Sequence, residues 1–148
     1  MSDFDVEISA EHIAEMDDIQ RRVFLRCLAK ISCADGHFDE REKEFIRSIA
    51  FDFGIEADET EQIVNELSSE SIIQDVAQIK DKRLALELIK QLCLLAHADN
   101  ELSDEETLFI GEVGQAMGVG LEKIEQISNW VIDYLVWREQ GRLIFEEV

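Results

Sequence analysis

The chain has 148 residues, no proline and three cysteines, and its 34 acidic against 14 basic residues give a formal net charge of −20. This length predicts one domain with a core large enough to fold without disulfides or a structural metal. The negative charge repels phosphate backbones and anionic lipid headgroups, which argues against nucleic-acid binding and direct membrane contact.

The expected compartment is the cytoplasm. The first residues, Met1 to Ile8, are acidic where a secretory signal would be basic. No apolar run approaches the roughly 20 residues that span a bilayer. An odd number of irregularly spaced cysteines fits a reducing compartment better than a disulfide framework.

Apolar residues recur at intervals of three and four along the chain, which predicts helices and no strands. The fold class is therefore all-α, a compact bundle of about seven helices. In chain order we expect a first helix capped by Ser9 and running past Ile31, a second over about 40–53, a third starting at Asp58, a fourth starting at Ser71, a fifth over 84–98, a sixth over about 104–117 and a seventh over 121–139.

An acidic turn between two apolar helical segments occurs twice in the chain. Asp35 and Glu42 in the first turn correspond to Asp99 and Glu106 in the second, at a constant offset of 64 residues. The same offset relates Gly54 to Gly118, each placed to close a helix. Such a register indicates a duplicated unit. We expect one domain over 1–148, with repeat one at about 11–68, repeat two at about 72–139, and tails at 1–8 and 141–148.

The two turns are candidate metal sites. Each places an aspartate at the carboxyl end of one helix, where the helix dipole disfavours an anion, and a glutamate seven residues later. A bound cation would relieve this unfavourable placement. Asp35, Glu42, Asp99 and Glu106 are the predicted ligands. Calcium is favoured over magnesium or manganese because it tolerates irregular oxygen shells.

The alternative needs no metal. Asp39 with Glu42, and Ser103 with Glu106, have the spacing of capping boxes, in which each residue bonds to the main chain of the other. The turns would then only begin helices, and the protein would be an acidic helical scaffold that binds another protein. The turns are not EF-hands, because the glycine and the final glutamate of that loop are missing.

Other chemistry has weaker support in the sequence. Cys93 and His97 lie four residues apart, and with Cys33 they could supply three zinc ligands, although buried core cysteines explain the pattern more simply. Cys27 is expected in the core, and His12 and His37 at the surface. No nucleophile elbow, phosphate loop or zincin motif is present, so we expect no enzyme.

Three aromatic residues, Trp130, Tyr134 and Trp137, lie along one side of the last predicted helix. We favour core packing for them. The alternative is an interface, either with a partner or in a homodimer, because large aromatic side chains often anchor interfaces.

The doubled motif, Ala34-Asp35-Gly36 with Glu42 and Ala98-Asp99-Asn100 with Glu106, resembles the TerB-like (tellurite resistance) family. The resemblance extends over about 23–137. It implies a compact, pseudo-symmetric domain of about seven helices without enzymatic activity. It also implies a link to tellurite and chemical-stress resistance, metal binding by the four acidic residues, and a protein partner in a stress-response assembly. Asn100 departs from the motif's glycine.

Overall fold

The computed structural model describes residues 10–32, 40–66, 69–99 and 103–146. All regular structure in these ranges is helical, which confirms the predicted all-α class. The described part contains eight helices: α1 Ala10–Glu15, α2 Asp18–Ser32, α3 Glu40–Asp52, α4 Ala57–Asn65, α5 Ser69–Val76, α6 Lys82–Asp99, α7 Asp104–Ala116 and α8 Leu121–Glu146.

The eighth helix arises because the first predicted helix is broken in two. The Asp17 carboxylate accepts a bond from the Gln20 main-chain N–H at 2.8 Å, and the Gln20 side-chain oxygen accepts one from the Asp17 N–H at 2.9 Å. This reciprocal cap starts a new helix at Asp18. The apolar pattern continues across the break through Met16. Periodicity alone therefore predicts one helix where the structure has two.

Arg21 joins the ends of two helices. Its Nε and Nη2 donate to the Ile13 carbonyl in α1 at 3.1 and 2.8 Å, and its Nη1 donates to the Phe53 carbonyl just after α3 at 3.2 Å. A cation is favourable at both places because carbonyls at a helix carboxyl end lack partners and carry partial negative charge. The guanidinium therefore holds α1 and α3 against the start of α2.

The 64-residue offset is present in the helix boundaries. The helices α6, α7 and α8 each start 64 residues after α2, α3 and α4 respectively. The residues before α2 and α6 correspond as well: Asp17 caps α2, and the Asp81 carboxylate accepts bonds from the main-chain N–H groups of Arg83 and Leu84 at 2.9 and 3.2 Å. The sequence repeat is thus a structural repeat of three helices.

The same glycine turn follows α3 and α7. Gly54 and Gly118 have φ angles of 74° and 79°, in the left-handed region that glycine enters without strain. The next residue in each repeat reaches back, so that the Ile55 N–H donates to the Ala50 carbonyl at 2.9 Å and the Val119 N–H to the Gly114 carbonyl at 2.8 Å. These bonds close both helices as Schellman motifs, as the sequence predicts.

Helices α2 and α6 pack against each other at the centre of the domain. Around them, α2 contacts α3, α4 and α5, while α6 contacts α7 and α8, and α5 also contacts α7. The buried side chains of both repeats form one cluster. Its centre is made of equivalent residues from the two central helices: Phe24, Leu25 and Leu28 of α2, and Leu88, Ile89 and Leu92 of α6.

The last helix, α8, has 26 residues, whereas its counterpart α4 has nine. It continues to Glu146, beyond its predicted end at 139, and includes most of the segment predicted as a tail. Of the helices described, none combines the length and the apolar character that a membrane-spanning segment requires.

Candidate functional site

The four predicted metal ligands are described to different extents. Asp35 lies outside the described residues. Asp99 is the last residue of α6, and its side chain also lies outside the description. Glu42 and Glu106 occupy equivalent, half-buried positions in the first turns of α3 and α7. The duplication therefore places both glutamates in the same local setting.

The second turn contains the predicted capping box. The Ser103 main-chain N–H donates to Glu106 Oε1 at 3.0 Å, and the Glu106 N–H donates to Ser103 Oγ at 3.1 Å. The Thr107 hydroxyl donates to the Ser103 carbonyl at 2.9 Å. These bonds fix the first turn of α7 and use one of the two carboxylate oxygens of Glu106. In the first repeat, Asp39 lies outside the described residues.

Glu106 lies close to the carboxyl end of α6. The imidazole of His97, in the last turn of that helix, is half-buried, and this burial lowers its pKa, while the negative charge of Glu106 acts to raise it. That influence requires the carboxylate to be near the last turn of α6. A glutamate at the start of α7 thus acts electrostatically on the last turn of α6, the helix that ends at Asp99.

A polar contact beside this turn joins α6 to α8. His97 Nε2 lies 3.0 Å from the hydroxyl oxygen of Ser128. The thiol of Cys93, one turn earlier in α6, also hydrogen-bonds to Ser128. Burial raises the pKa of Cys93 to about 11, and the bond to Ser128 opposes part of this rise. The thiol is therefore protonated at neutral pH.

Sequence reasoning missed Ser128, although a comparison of the repeats marks it. Its counterpart in repeat one is the buried Val64, and the counterpart of Cys93 is the buried Ala29. Repeat two thus has the hydroxyl of Ser128 where repeat one has an apolar side chain, and the thiol of Cys93 where repeat one has an alanine. These two changes together indicate a polar contact in repeat two. The third zinc ligand considered, Cys33, lies outside the described residues. Cys27 is buried in the core, as expected.

Within the ranges that the structure describes, no three side chains of histidine, cysteine, aspartate or glutamate converge as a metal-binding group. Two of the four predicted ligands lie wholly or partly outside those ranges. The metal site therefore stays a prediction.

A groove of about 400 Å³ lies between α1, α2, α3, α6 and α8. Its lining is mostly apolar and includes Phe45, Leu94 and Leu135, while Asp52 and Arg138 contribute charge at its edge. This volume falls in the range of small-molecule sites. Neither Glu42 nor Glu106, the two predicted ligands whose side chains are described, lines the groove.

The expectation that all three aromatic residues of α8 pack in the core is wrong for the tryptophans. Trp130 is 45% exposed and Trp137 is 71% exposed, whereas Tyr134 is half-buried and lines the groove. The Arg138 guanidinium lies over the Tyr134 ring, 5.5 Å from its centre. The tryptophans are exposed because the core-facing side of α8 carries Ile124 and Val131 instead.

The chain was compared with known proteins. The family model described as "Tellurite resistance protein TerB" matches residues 2–65. No match was found among curated proteins or among solved structures. The matched range contains the first acidic turn and ends with α4, so it corresponds to repeat one. Repeat two is related to it through the 64-residue offset of its helices.

Proposed function

We propose that this chain, whose residues 2–65 match the TerB family model, is a non-enzymatic module that binds a divalent cation through its duplicated acidic turns. The proposed ligands are Asp35 and Glu42 in one turn, and Asp99 and Glu106 in the other. Calcium is the favoured cation because it accepts an irregular set of carboxylate, carbonyl and water oxygens.

The position of Glu106 carries the proposal. Its charge acts on His97 in the last turn of α6, which supports a position of its carboxylate near the helix that ends at Asp99. The capping bond uses Oε1 and leaves Oε2 able to accept a cation. A cation between this oxygen and Asp99 would offset the unfavourable field that the carbonyls at the end of α6 exert on an aspartate.

The helices α3 and α7 begin at equivalent positions of the two repeats, so the same reasoning applies to the first turn. Since Glu42 and Glu106 both occupy the third position of their helices, a cation bound at one turn has a counterpart at the other. A net charge of −20 also raises the local concentration of cations around the whole molecule.

Thermal unfolding with and without calcium tests the proposal. At about one hundred times its dissociation constant, a bound cation stabilises a protein by roughly 2.7 kcal/mol. For a protein of this size that corresponds to an increase in Tm of about 5–10 °C. The combined substitution of Asp35→Asn and Asp99→Asn should abolish the increase.

The matched control is Asp58→Asn with Glu122→Gln. These two exposed acidic residues lie in the first turns of α4 and α8 and are themselves related by the 64-residue offset. Their substitution removes the same total charge as the substitution of Asp35 and Asp99. The control variant should keep the calcium effect. An unchanged Tm of the wild-type protein in calcium, magnesium and manganese would show that the turns bind no cation.

The capping box of Ser103 and Glu106 favours a second candidate function. If both glutamates only cap helices, the protein is an acidic scaffold whose partner is another protein of a stress-response assembly. Replacing Asp35 and Asp99 by asparagine should then stabilise the fold slightly in the absence of metal, since it removes negative charge that the sequence pattern predicts at helix carboxyl ends. Binding of the partner would not respond to chelator.

The description of the matched family model supports our proposal that the protein acts in tellurite resistance or a related chemical-stress response. The two described cysteines, Cys27 and Cys93, are buried free thiols, which suits a reducing compartment such as the cytoplasm.

A further inference from the structure

The carboxyl-terminal half of α8 is largely unsupported by the rest of the domain. The buried residues of this helix, Ile124 and Val131, both lie in its first half. From Val136 to Glu146 every residue except Gly141 is exposed, and several are large and apolar. An isolated helical segment of this length is marginal in water without a packing surface.

One face of α8 has the residue spacing of a coiled-coil seam. Trp130, Tyr134, Trp137, Gly141 and Ile144 follow one another at alternating intervals of four and three. This is the spacing of the a and d positions that face a partner helix. We call these five residues the α8 seam. Trp137 and Ile144 are 71% and 67% exposed, and the neighbouring Phe145 is 81% exposed.

Gly141 is not required by any contact in the described part of the chain. It lies inside a helix with ordinary φ, and a Cβ added there would meet nothing within 4 Å. Glycine at such a position costs about 1 kcal/mol relative to alanine. In a parallel, in-register pair of helices this position would face its own copy, and glycine there would let the two main chains approach closely.

The charges beside the seam specify how two copies can pair. Asp133 and Arg138 flank the seam on opposite sides, five residues apart, at the positions that face each other across a parallel pair of helices. Among the described residues neither forms an ion pair, whereas the nearby Arg142 pairs with Glu139 and Glu146. Two copies related by a two-fold axis would form the Asp133–Arg138 pair twice.

The exposed area is sufficient for such a pair. The exposed parts of the seam residues, with Phe145, come to roughly 500 Å² per chain when a buried aromatic side chain is taken as 150–250 Å². Two copies would bury about 1,000 Å², which is the smallest area expected of a specific interface. The core-facing residues of α8 lie about a quarter of a turn from the seam, so a two-fold axis places the two domains on opposite sides of the helix pair.

From these observations we propose that the α8 seam binds a second copy of this chain, with the two α8 helices parallel. The interface is apolar along the seam and is bordered by two Asp133–Arg138 pairs. It does not involve the acidic turns, so it is independent of cation binding.

Sedimentation analysis of the full chain at increasing concentration tests the interface. The wild-type protein should dimerise, and Trp137→Glu with Ile144→Glu should make it monomeric, because both side chains are exposed in the single chain and their replacement leaves its core unchanged. Phe51→Glu is the matched control, since Phe51 is 82% exposed on α3 and is not one of the seam residues, and this variant should still dimerise. Circular dichroism checks that each variant is folded.

Charge reversal tests the parallel orientation. Asp133→Arg alone and Arg138→Asp alone should each weaken the dimer roughly tenfold, because two attractive pairs become repulsive. The double variant should return to within about threefold of the wild-type dissociation constant. A double variant as weak as the single ones overturns the parallel pairing. The interface itself is overturned if the wild-type chain stays monomeric at millimolar concentration, which is also the result expected if the seam binds a different protein. It is equally overturned if the seam variant still dimerises.

Discussion

Replacing Leu92 by alanine is expected to lower the free energy of unfolding by about 2–5 kcal/mol. Leu92 is fully buried in α6, one of the two helices at the centre of the domain, and its counterpart Leu28 lies on α2, which packs against α6. The substitution removes apolar contacts and leaves a cavity between the central helices. Since a typical domain has only about 5–15 kcal/mol of stability, the loss is a large fraction of the total.

Chemical denaturation measures this effect, with Leu121→Ala as the control. Leu121 is 71% exposed at the start of α8, so the same change of side chain there should alter the stability by less than about 0.5 kcal/mol. Equal effects of the two substitutions would mean that the packing of α2 against α6 does not form the centre of the core.

Gly114→Ala is expected to destabilise the protein by about 1–3 kcal/mol, although alanine is normally the better residue in a helix. A Cβ at this position in α7 would overlap the Cδ1 of Ile124 and lie 3.2 Å from its Cγ1. Ile124 is buried in α8 and cannot move away freely. In the first repeat the equivalent residue, Ala50, already carries a Cβ, so the close approach is specific to α7 and α8.

The control lies three residues away in the same helix. A Cβ on Gly111 would meet nothing within 4 Å, so Gly111→Ala should stabilise the protein by up to about 1 kcal/mol. Opposite signs for the two substitutions, measured by thermal or chemical unfolding, are the expected result. If Gly114→Ala were also stabilising, the approach of α7 to α8 would have to be looser than described.

The features that the sequence predicted well are local or repeated ones. The start of α7 follows from the capping signal of Ser103 and Glu106, and the ends of α3 and α7 follow from Gly54 and Gly118. These signals depend on residues within a few positions of one another, so they are visible without knowledge of tertiary packing. The repeat allowed each to be recognised twice.

The features that were missed fall into two groups. The cap formed by Asp17 and Gln20 is local, but it lies inside an apolar pattern that continues without interruption, so the periodicity concealed it. The exposure of Trp130 and Trp137 depends on which face of α8 packs against the domain, which only tertiary contacts decide. Aromatic composition alone suggested burial because large aromatic residues usually pack in cores.

The candidate site was predicted in part. The capping role of Glu106 was among the alternatives, and the structure contains it. The electrostatic effect of Glu106 on His97 and the hydrogen bond between His97 and Ser128 connect residues that are 9 and 31 positions apart, and both depend on how α6, α7 and α8 pack. No spacing rule in the sequence gives these contacts.

The most direct test of cation binding by the acidic turns is the paramagnetic effect of manganese on the amide NMR signals of the protein. Small additions of manganese should first broaden the signals of Ser103 to Glu106 and of Glu40 to Glu42, the two equivalent turns, and calcium in excess should restore them. Even broadening over all acidic surfaces, including Asp58 and Glu59 in α4, would contradict specific binding and leave helix capping as the role of these residues.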